Sequence, residues 1–213
     1  MFAHVDAYAG DPIFKLNDEF HQDPRAGKIN LTIGIYFDDA GRLPVMAAVR
    51  EAEAAMVPGA KPYLPMSGDP AYRTQVQQLL FGADHEAVTA GRVVTLQTLG
   101  GSGALKVGAD FLQSYFPTSD VWVSDPSWDN HRSIFEGAGF TVHSYPYYDP
   151  ASGGVRFGDM LDCIASLPAH SIVLLHACCH NPTGVDLSRA QWFELVTVMR
   201  KRQLIAFADI AYQ

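Results

Sequence analysis

Four polar residues stand where two apolar runs of the chain come to an end. The stretch 171–184 reads SIVLLHACCHNPTG: aliphatic residues from Ile172 to Leu175, then His176 and a His-Asn-Pro-Thr-Gly block that contains Asn181. A continuous apolar run this short suits a parallel strand covered on both faces. Pro182 cannot donate to a ladder, and Gly184 permits a left-handed turn. The second run, LIAFADIAY, carries Asp209 near its end, with Tyr212 three residues on. An unpaired carboxylate in a buried strand is costly, so Asp209 requires a cationic partner from the protein or from a ligand. Ligands of open α/β sheets sit at the carboxyl ends of the strands, where His176, Asn181, Asp209 and Tyr212 fall.

Two further stretches carry chemistry of a different kind. Gly100, Gly101, Ser102 and Gly103 join an expected strand to an expected helix. Glycines there clear the backbone so that amide N–H groups at the helix start can face an anion, and the Ser102 hydroxyl adds a donor. The dinucleotide pattern fails because Lys106 stands where its third glycine belongs, so the loop suits one phosphate better than a pyrophosphate. Many such turns are glycine-rich for steric reasons alone. In DPSWDNH, residues 125–131, Trp128 can offer a flat face to an aromatic ligand. The plainer alternative puts Trp128 in the core and His131 on a helix surface.

A metal reading competes for part of this material. His176, Cys178 and His180 have spacing two and would share one face of a strand. A structural zinc site needs four ligands from two segments, whereas Cys179 points the other way and Cys163 stands alone. No bound metal is therefore expected. Taken together, a phosphate loop, an aromatic platform, an asparagine and an acid at the strand ends of one sheet describe a flat ring with a phosphate and a basic ring nitrogen. Pyridoxal 5′-phosphate has that form.

The elements that must position these residues follow from the patterning. Residues 1–20 read as an extended arm, with a turn at Asp11-Pro12 and a short amphipathic piece over 13–20. Residues 28–36 alternate into a strand broken by Gly34, where a ligand can approach closely. A helix over 44–56 starts at Pro44, a proline-rich loop over 61–70 exposes Tyr63, and a helix over 70–81 closes at Gly82. From residue 92 onward strands and helices alternate, the mark of a mostly parallel sheet with helices on both faces. Strands are expected over 92–99, 121–123, 140–144, 171–178 and 204–210. Helices are expected over 104–113, from Trp128 to Glu136, over 159–166 with Asp159 as N-cap, and over 191–202. The chain stops three residues past the last strand and reads as a fragment.

Composition narrows the class. The 213 residues are 48% hydrophobic and 18% charged, as in a soluble globular chain with room for a core. The formal net charge is −8 and the fifteen basic residues are scattered, which supports neither nucleic-acid nor membrane binding. Three cysteines make no disulfide framework, which points to the cytoplasm. The first residues lack the apolar core of a signal peptide.

The blocks QTLGGSGALKVGADF, VSDPSWDNH, LLHACCHNPTG and DIAYQ resemble those of class I aminotransferases of fold type I. With VDAYAGDP, LLFGADH and KINLTIGIY added, the chain resembles the bacterial aromatic (tyrosine) branch over its whole length. The resemblance implies an α/β fold: the large domain of a fold type I pyridoxal-phosphate transferase, incomplete, preceded by an N-terminal arm and a small-domain segment. It divides the chain into residues 1–43, arm and small domain, and residues 44–213, part of the large domain.

The resemblance also implies roles. Gly101, Ser102 and Gly103 hold the cofactor phosphate, and Trp128 stacks on its ring. Asn181 and Tyr212 bond the ring's 3-oxygen, and Asp209 pairs with the pyridinium nitrogen, a charge-assisted bond. His131 and His176 support from behind. Gly34, Trp128 and Asn181 meet the substrate. Tyr63 reaches the phosphate of a neighbouring subunit, which implies a homodimer. The family's Schiff-base lysine and its substrate arginines have no counterpart among these residues, so the chain alone is expected to be inactive. The whole protein is expected to move an amino group between aromatic, and also dicarboxylic, amino acids and 2-oxo acids. The alternatives are aspartate aminotransferase proper and a non-catalytic metal-binding protein built on His176, Cys178 and His180.

Overall fold

A computed structural model describes residues 3–4 and 12–212. The chain separates into two compact units, Met1–Pro62 and Tyr63–Gln213. In the first, helix α1 (Pro12–Gln22) takes up much of the expected arm; the turn at Asp11 and most of VDAYAGDP lie outside the described residues. The Lys28 ammonium donates to the carbonyls of Phe20 (2.5 Å) and Asp23 (2.6 Å), one in the last turn of that helix and one just past it. Helix α2 (Ala47–Ala55) starts three residues later than Pro44, after an extended Met46, where the strong helix formers begin.

The strand expected over 28–36 does not form. Ile29 and Leu31 are largely exposed, and Asn30 spends its side chain on Thr32 and Asn17. An alternating pattern becomes a strand only beside a partner, and among the described residues this one has none. The strand expected over 92–99 is absent for the same reason, with Val94, Leu96 and Leu99 exposed. That segment is instead tied to helix α3 (Pro70–Phe81): the Gln77 amide donates to Thr95 Oγ1 at 2.8 Å. Helix α3 has the expected bounds because its ends are written in side chains. Asp69 accepts from the Tyr72 amide at 2.8 Å, and Gly82 leaves the helix at φ 87°. A short helix α4 (Glu86–Thr89) follows.

The second unit is built on one parallel sheet. Its elements in chain order are α5 (Gly100–Tyr115), β1 (Val121–Asp125), α6 (Asp129–Gly137), β2 (Val142–Pro146), the hairpin strands β3 (Tyr148–Asp149) and β4 (Gly154–Val155), α7 (Phe157–Ser166), β5 (Ile172–His176), α8 (Arg189–Arg202) and β6 (Ile205–Asp209). The strand order is β2-β1-β5-β6 with all neighbours parallel. Side chains alternate across the sheet, and each face has its own cover. Val121, Val123, Ile172 and Leu174 pack with Ala109 and Leu112 of α5 and Phe135 of α6. Val173 and Leu175 pack on the other face with Met160 and Ile164 of α7 and Leu195 and Met199 of α8. Burial on both faces is why β5 is apolar without interruption.

Several expected boundaries shift. Helix α5 begins inside the glycines rather than at Ala104, so 100–103 is its first turn and not a loop. Strand β2 starts two residues later than expected, and the β3–β4 hairpin carried no clear signal. Asp159 is not an N-cap: α7 starts at Phe157, and the Asp159 carboxylate pairs with Arg156 (2.6 Å), the cap residue itself. Helix α8 starts two residues early because Ser188 and Gln191 form a capping box.

One close approach holds α5 over the strand that carries Asp209. A Cβ added to Gly108 would stand 2.7 and 2.9 Å from ring atoms of Phe207, whose ring lies edge-on to Phe135 at 5.2 Å. Gly108→Ala is therefore expected to destabilise by about 1–3 kcal/mol from overpacking, less up to about 1 kcal/mol of helix propensity. Thermal unfolding measures it. Phe207→Leu in the same background should recover most of the loss, and a Gly108→Ala melt equal to wild type would contradict the contact.

Candidate active site

The carboxyl ends of β1, β5 and β6 open into a cavity of about 200 Å³. Parallel register places His176, the last residue of β5, opposite Asp209, the last of β6, and the Ala177 amide bonds the Asp209 carbonyl at 3.0 Å. Trp128 caps α6 and His131 lies in that helix's first turn. Among the residues expected at a site, Gly101, Trp128, His131, His176, Asn181, Asp209 and Tyr212 all line this cavity. Ser102 and Gly103 share the first turn of α5 with Gly101 but are not in the lining. Tyr63 is fully exposed and also outside it. Gly34 belongs to the unit Met1–Pro62, with open space around its Cα.

Behind Asp209 runs a chain of hydrogen bonds. The Asn181 amide donates to His176 Nδ1 at 3.1 Å, so the neutral His176 ring carries its proton on Nε2. That nitrogen faces Ser127 Oγ at 3.4 Å. The Ser127 hydroxyl is 2.9 Å from His131 Nδ1, and His131 Nε2 is 2.7 Å from Asp209 Oδ2. An ionised carboxylate only accepts, so His131 donates from Nε2, while its Nδ1 shares a hydrogen bond with the Ser127 hydroxyl. His131 is fully buried, which removes the reading of it as a helix-surface residue. Its bond is the main cause that holds the Asp209 carboxyl below the usual carboxylate range, against the opposing effect of burial.

Three histidines pack in a row, of which His131 and His176 line the cavity. His131 lies edge-on to Trp128 (5.3 Å) and to His176 (5.0 Å). His176 packs on His180 at 4.2 Å, and His180 stacks on Tyr147 at 3.9 Å. His180 is buried, with Nε2 2.8 Å from Ser124 Oγ and Nδ1 2.9 Å from Thr183 Oγ1. Strand β5 stops at His176, so Cys178 and His180 do not continue one strand face with it. Cys178 Sγ donates to the Tyr212 carbonyl at 2.7 Å. With the His180 nitrogens taken by hydroxyls, the metal pattern dissolves; among the described residues no group of three or more His, Cys, Asp or Glu is arranged to hold a metal ion.

Burial, then the neighbouring histidines, push His176 down to about 4, and burial pushes His180 down to about 4 despite Asp186. Both are neutral in the fold, whereas an unfolded histidine titrates near about 6.5. Between those values the unfolded chain binds more protons, so their contribution is full above about pH 6.5 and is lost as pH falls toward 4. The melting temperature of the whole protein is expected to fall across that window. A profile flat from pH 6.5 to 4.5 would contradict buried neutral rings.

Sequence reasoning missed Ser127, Ser124, Tyr147 and Asp186. Ser127 was within reach: it precedes His131 by four residues in a block already singled out, although helix α6 begins only at Asp129. Asp186 binds the amides of Cys179 (2.7 Å) and His180 (2.8 Å) and had no periodic signal.

Comparison with known proteins bears on this geometry. The family model described as aminotransferase class I and II matches residues 26–213. The chain belongs to that family. This chain is 58% identical to the tyrosine aminotransferase of Klebsiella pneumoniae, covering 100% of this chain and 54% of that protein. It is 66% identical to an aromatic amino acid aminotransferase from Burkholderia cenocepacia, with a TM-score of 0.97 over 100% of this chain and 54% of the other. An aromatic-amino-acid aminotransferase from Burkholderia pseudomallei, described as covalently bound to pyridoxal phosphate, is 49% identical, with a TM-score of 0.93 and the same coverage of 100% and 54%. The chain thus spans about half the length of the relatives it matches. The parallel sheet with helices on both faces is the expected α/β fold of fold type I transferases, in part. No helix among the described residues is long and apolar enough to cross a membrane.

Proposed function

We propose that the whole protein transfers an amino group between aromatic, and also dicarboxylic, amino acids and 2-oxo acids with the help of pyridoxal phosphate. The observation that carries this reading is the Asp209 carboxylate, kept ionised by His131 at the wall of a cavity it shares with Trp128, Asn181 and Tyr212. The residues fit the cofactor. An acid held ionised suits a protonated ring nitrogen, an indole suits a flat ring, and an amide with a phenol suits a ring oxygen. No side chain caps α5, and a Cβ added at Gly101 would meet nothing within 4 Å, which leaves room for an anion at the helix start.

When bound, the group supplies an electron sink for the bonding electrons of the substrate's α-carbon. The chain's own residues do the rest. Asp209 would hold the proton on the ring nitrogen, with His131 and Ser127 fixing the carboxylate behind it. Trp128 would cover one face of the ring and exclude water from it. Asn181 and Tyr212 would donate toward the ring oxygen, and Gly101, Ser102 and Gly103 toward the phosphate. Trp128, Asn181 and Gly34 would meet the substrate. Tyr63 would reach the phosphate of a second copy, which makes the whole protein a homodimer. The division at 43/44 into small-domain and large-domain parts, and a cytoplasmic location, belong to the same proposal. The lysine that bonds the cofactor and the arginines that grip the substrate would come from outside these 213 residues.

The whole protein assayed with tyrosine, phenylalanine and aspartate against 2-oxoglutarate tests this. Turnover of all three, with aromatic substrates at least equal to aspartate, is expected. Turnover of aspartate alone would assign aspartate aminotransferase proper, and no transamination would end the reading.

A further inference from the structure

Beyond β5 the chain must reverse within a few residues and still bring Cys178, Cys179 and Asn181 to the cavity. Cys179 does this with φ 50°, a left-handed conformation disfavoured for a residue with a Cβ. The turn brings two successive amides, those of Cys179 and His180, to one side, a concave arrangement that binds anions. Asp186 fills it with one oxygen per amide, Oδ2 to Cys179 at 2.7 Å and Oδ1 to His180 at 2.8 Å. Asp186 is itself anchored on both sides: the Val185 carbonyl accepts from the Tyr147 hydroxyl at 2.6 Å, and Leu187 packs against the α7–α8 core. Its carboxylate is not part of the cavity lining.

We infer that Asp186 is a positioning residue that locks the 177–184 turn, and through it the tautomer of His176 and the aim of Asn181. The amide of Asn181 follows directly on the two clamped amides and is the one that bonds His176 Nδ1. If the turn relaxes, that amide leaves the ring, the proton of His176 is no longer confined to Nε2, and its contact with Ser127, in the chain toward Asp209, is no longer fixed. The effect on turnover rests on the aminotransferase reading above; the effect on the ring does not.

Asp186→Asn tests the clamp with little change of shape. An amide side chain keeps one acceptor and sets an NH₂ group against the other backbone N–H, so one of the two bonds is lost. In the whole protein, ¹⁵N-histidine NMR should show one ring, identified by its loss in His176→Asn, with unprotonated Nδ1. In Asp186→Asn that ring should average between tautomers, and kcat should fall about tenfold with a smaller change in KM, the size expected for one charge-assisted bond. Adding Cys179→Gly, which relieves the left-handed strain, should recover part of both effects. Asp186→Ala should go further in the same direction, and if it fails to fold the asparagine variant decides. An unchanged ring spectrum in Asp186→Asn would overturn the clamp whatever the turnover. A wild type without transamination would sink the aminotransferase reading and leave the ring spectrum to decide this one.

Discussion

Replacing Asp209 by alanine in the whole protein is expected to lower kcat for transamination by at least about a hundredfold, the cost typical of removing one preorganised charge at a reacting centre. Nothing else in the cavity lining supplies an anion: its other members are Gly101, Leu105, Ala211, two cysteines, three aromatic or amide side chains and two histidines. A ring nitrogen facing alanine would lose its proton, and with it the pull on the substrate's electrons. Asp209→Asn should be nearly as damaging, since the shape stays and the charge goes. Trp128→Phe should be mild, because a stacking face remains. Steady-state kinetics on the three variants decide; near-normal turnover in Asp209→Ala would show that the acid is misassigned.

Legibility in the sequence followed the reach of the forces involved. Helix α3 was readable to its ends because Asp69, Pro70 and Gly82 act within four residues of themselves. Strand β5 was readable because double-sided burial leaves an unbroken apolar run. Residues 28–36 alternate and residues 92–99 are rich in strand formers, and still neither forms a strand, because pairing depends on a partner that local patterning cannot supply. Of the site, Asp209 was legible as an acid without an evident reason, and Trp128 and Asn181 through their blocks. Its partner His131 stands 78 residues earlier in the chain, and no spacing rule joins them; only the parallel register of β5 and β6 and the docking of α6 bring that pair to 2.7 Å. The left-handed Cys179 and the Asp186 clamp were invisible, being properties of a turn and not of a pattern.

The second large effect concerns lysine. The five lysines of the sequence are Lys15, Lys28, Lys61, Lys106 and Lys201, and none lines the cavity. Lys106 pairs instead with Asp110 on the exposed side of α5. Residues 1–213 alone, given pyridoxal phosphate and then borohydride, are therefore expected to show no single lysine labelled in high yield, whereas the whole protein should show one, outside this segment. Peptide mass spectrometry reads the result directly. Stoichiometric labelling of any of these five would mean that the chemistry is laid out differently from the arrangement proposed for the cavity.

The central claim is that the cavity at the ends of β1, β5 and β6 holds the cofactor ring with its nitrogen toward Asp209. A crystal structure of the whole protein soaked with pyridoxal phosphate measures this most directly. The account predicts ring density beside Trp128, with the ring nitrogen within hydrogen-bond distance of the Asp209 carboxylate and His131 still bonded behind it. Cofactor density elsewhere, or a ring in this cavity whose nitrogen faces away from Asp209, would contradict it.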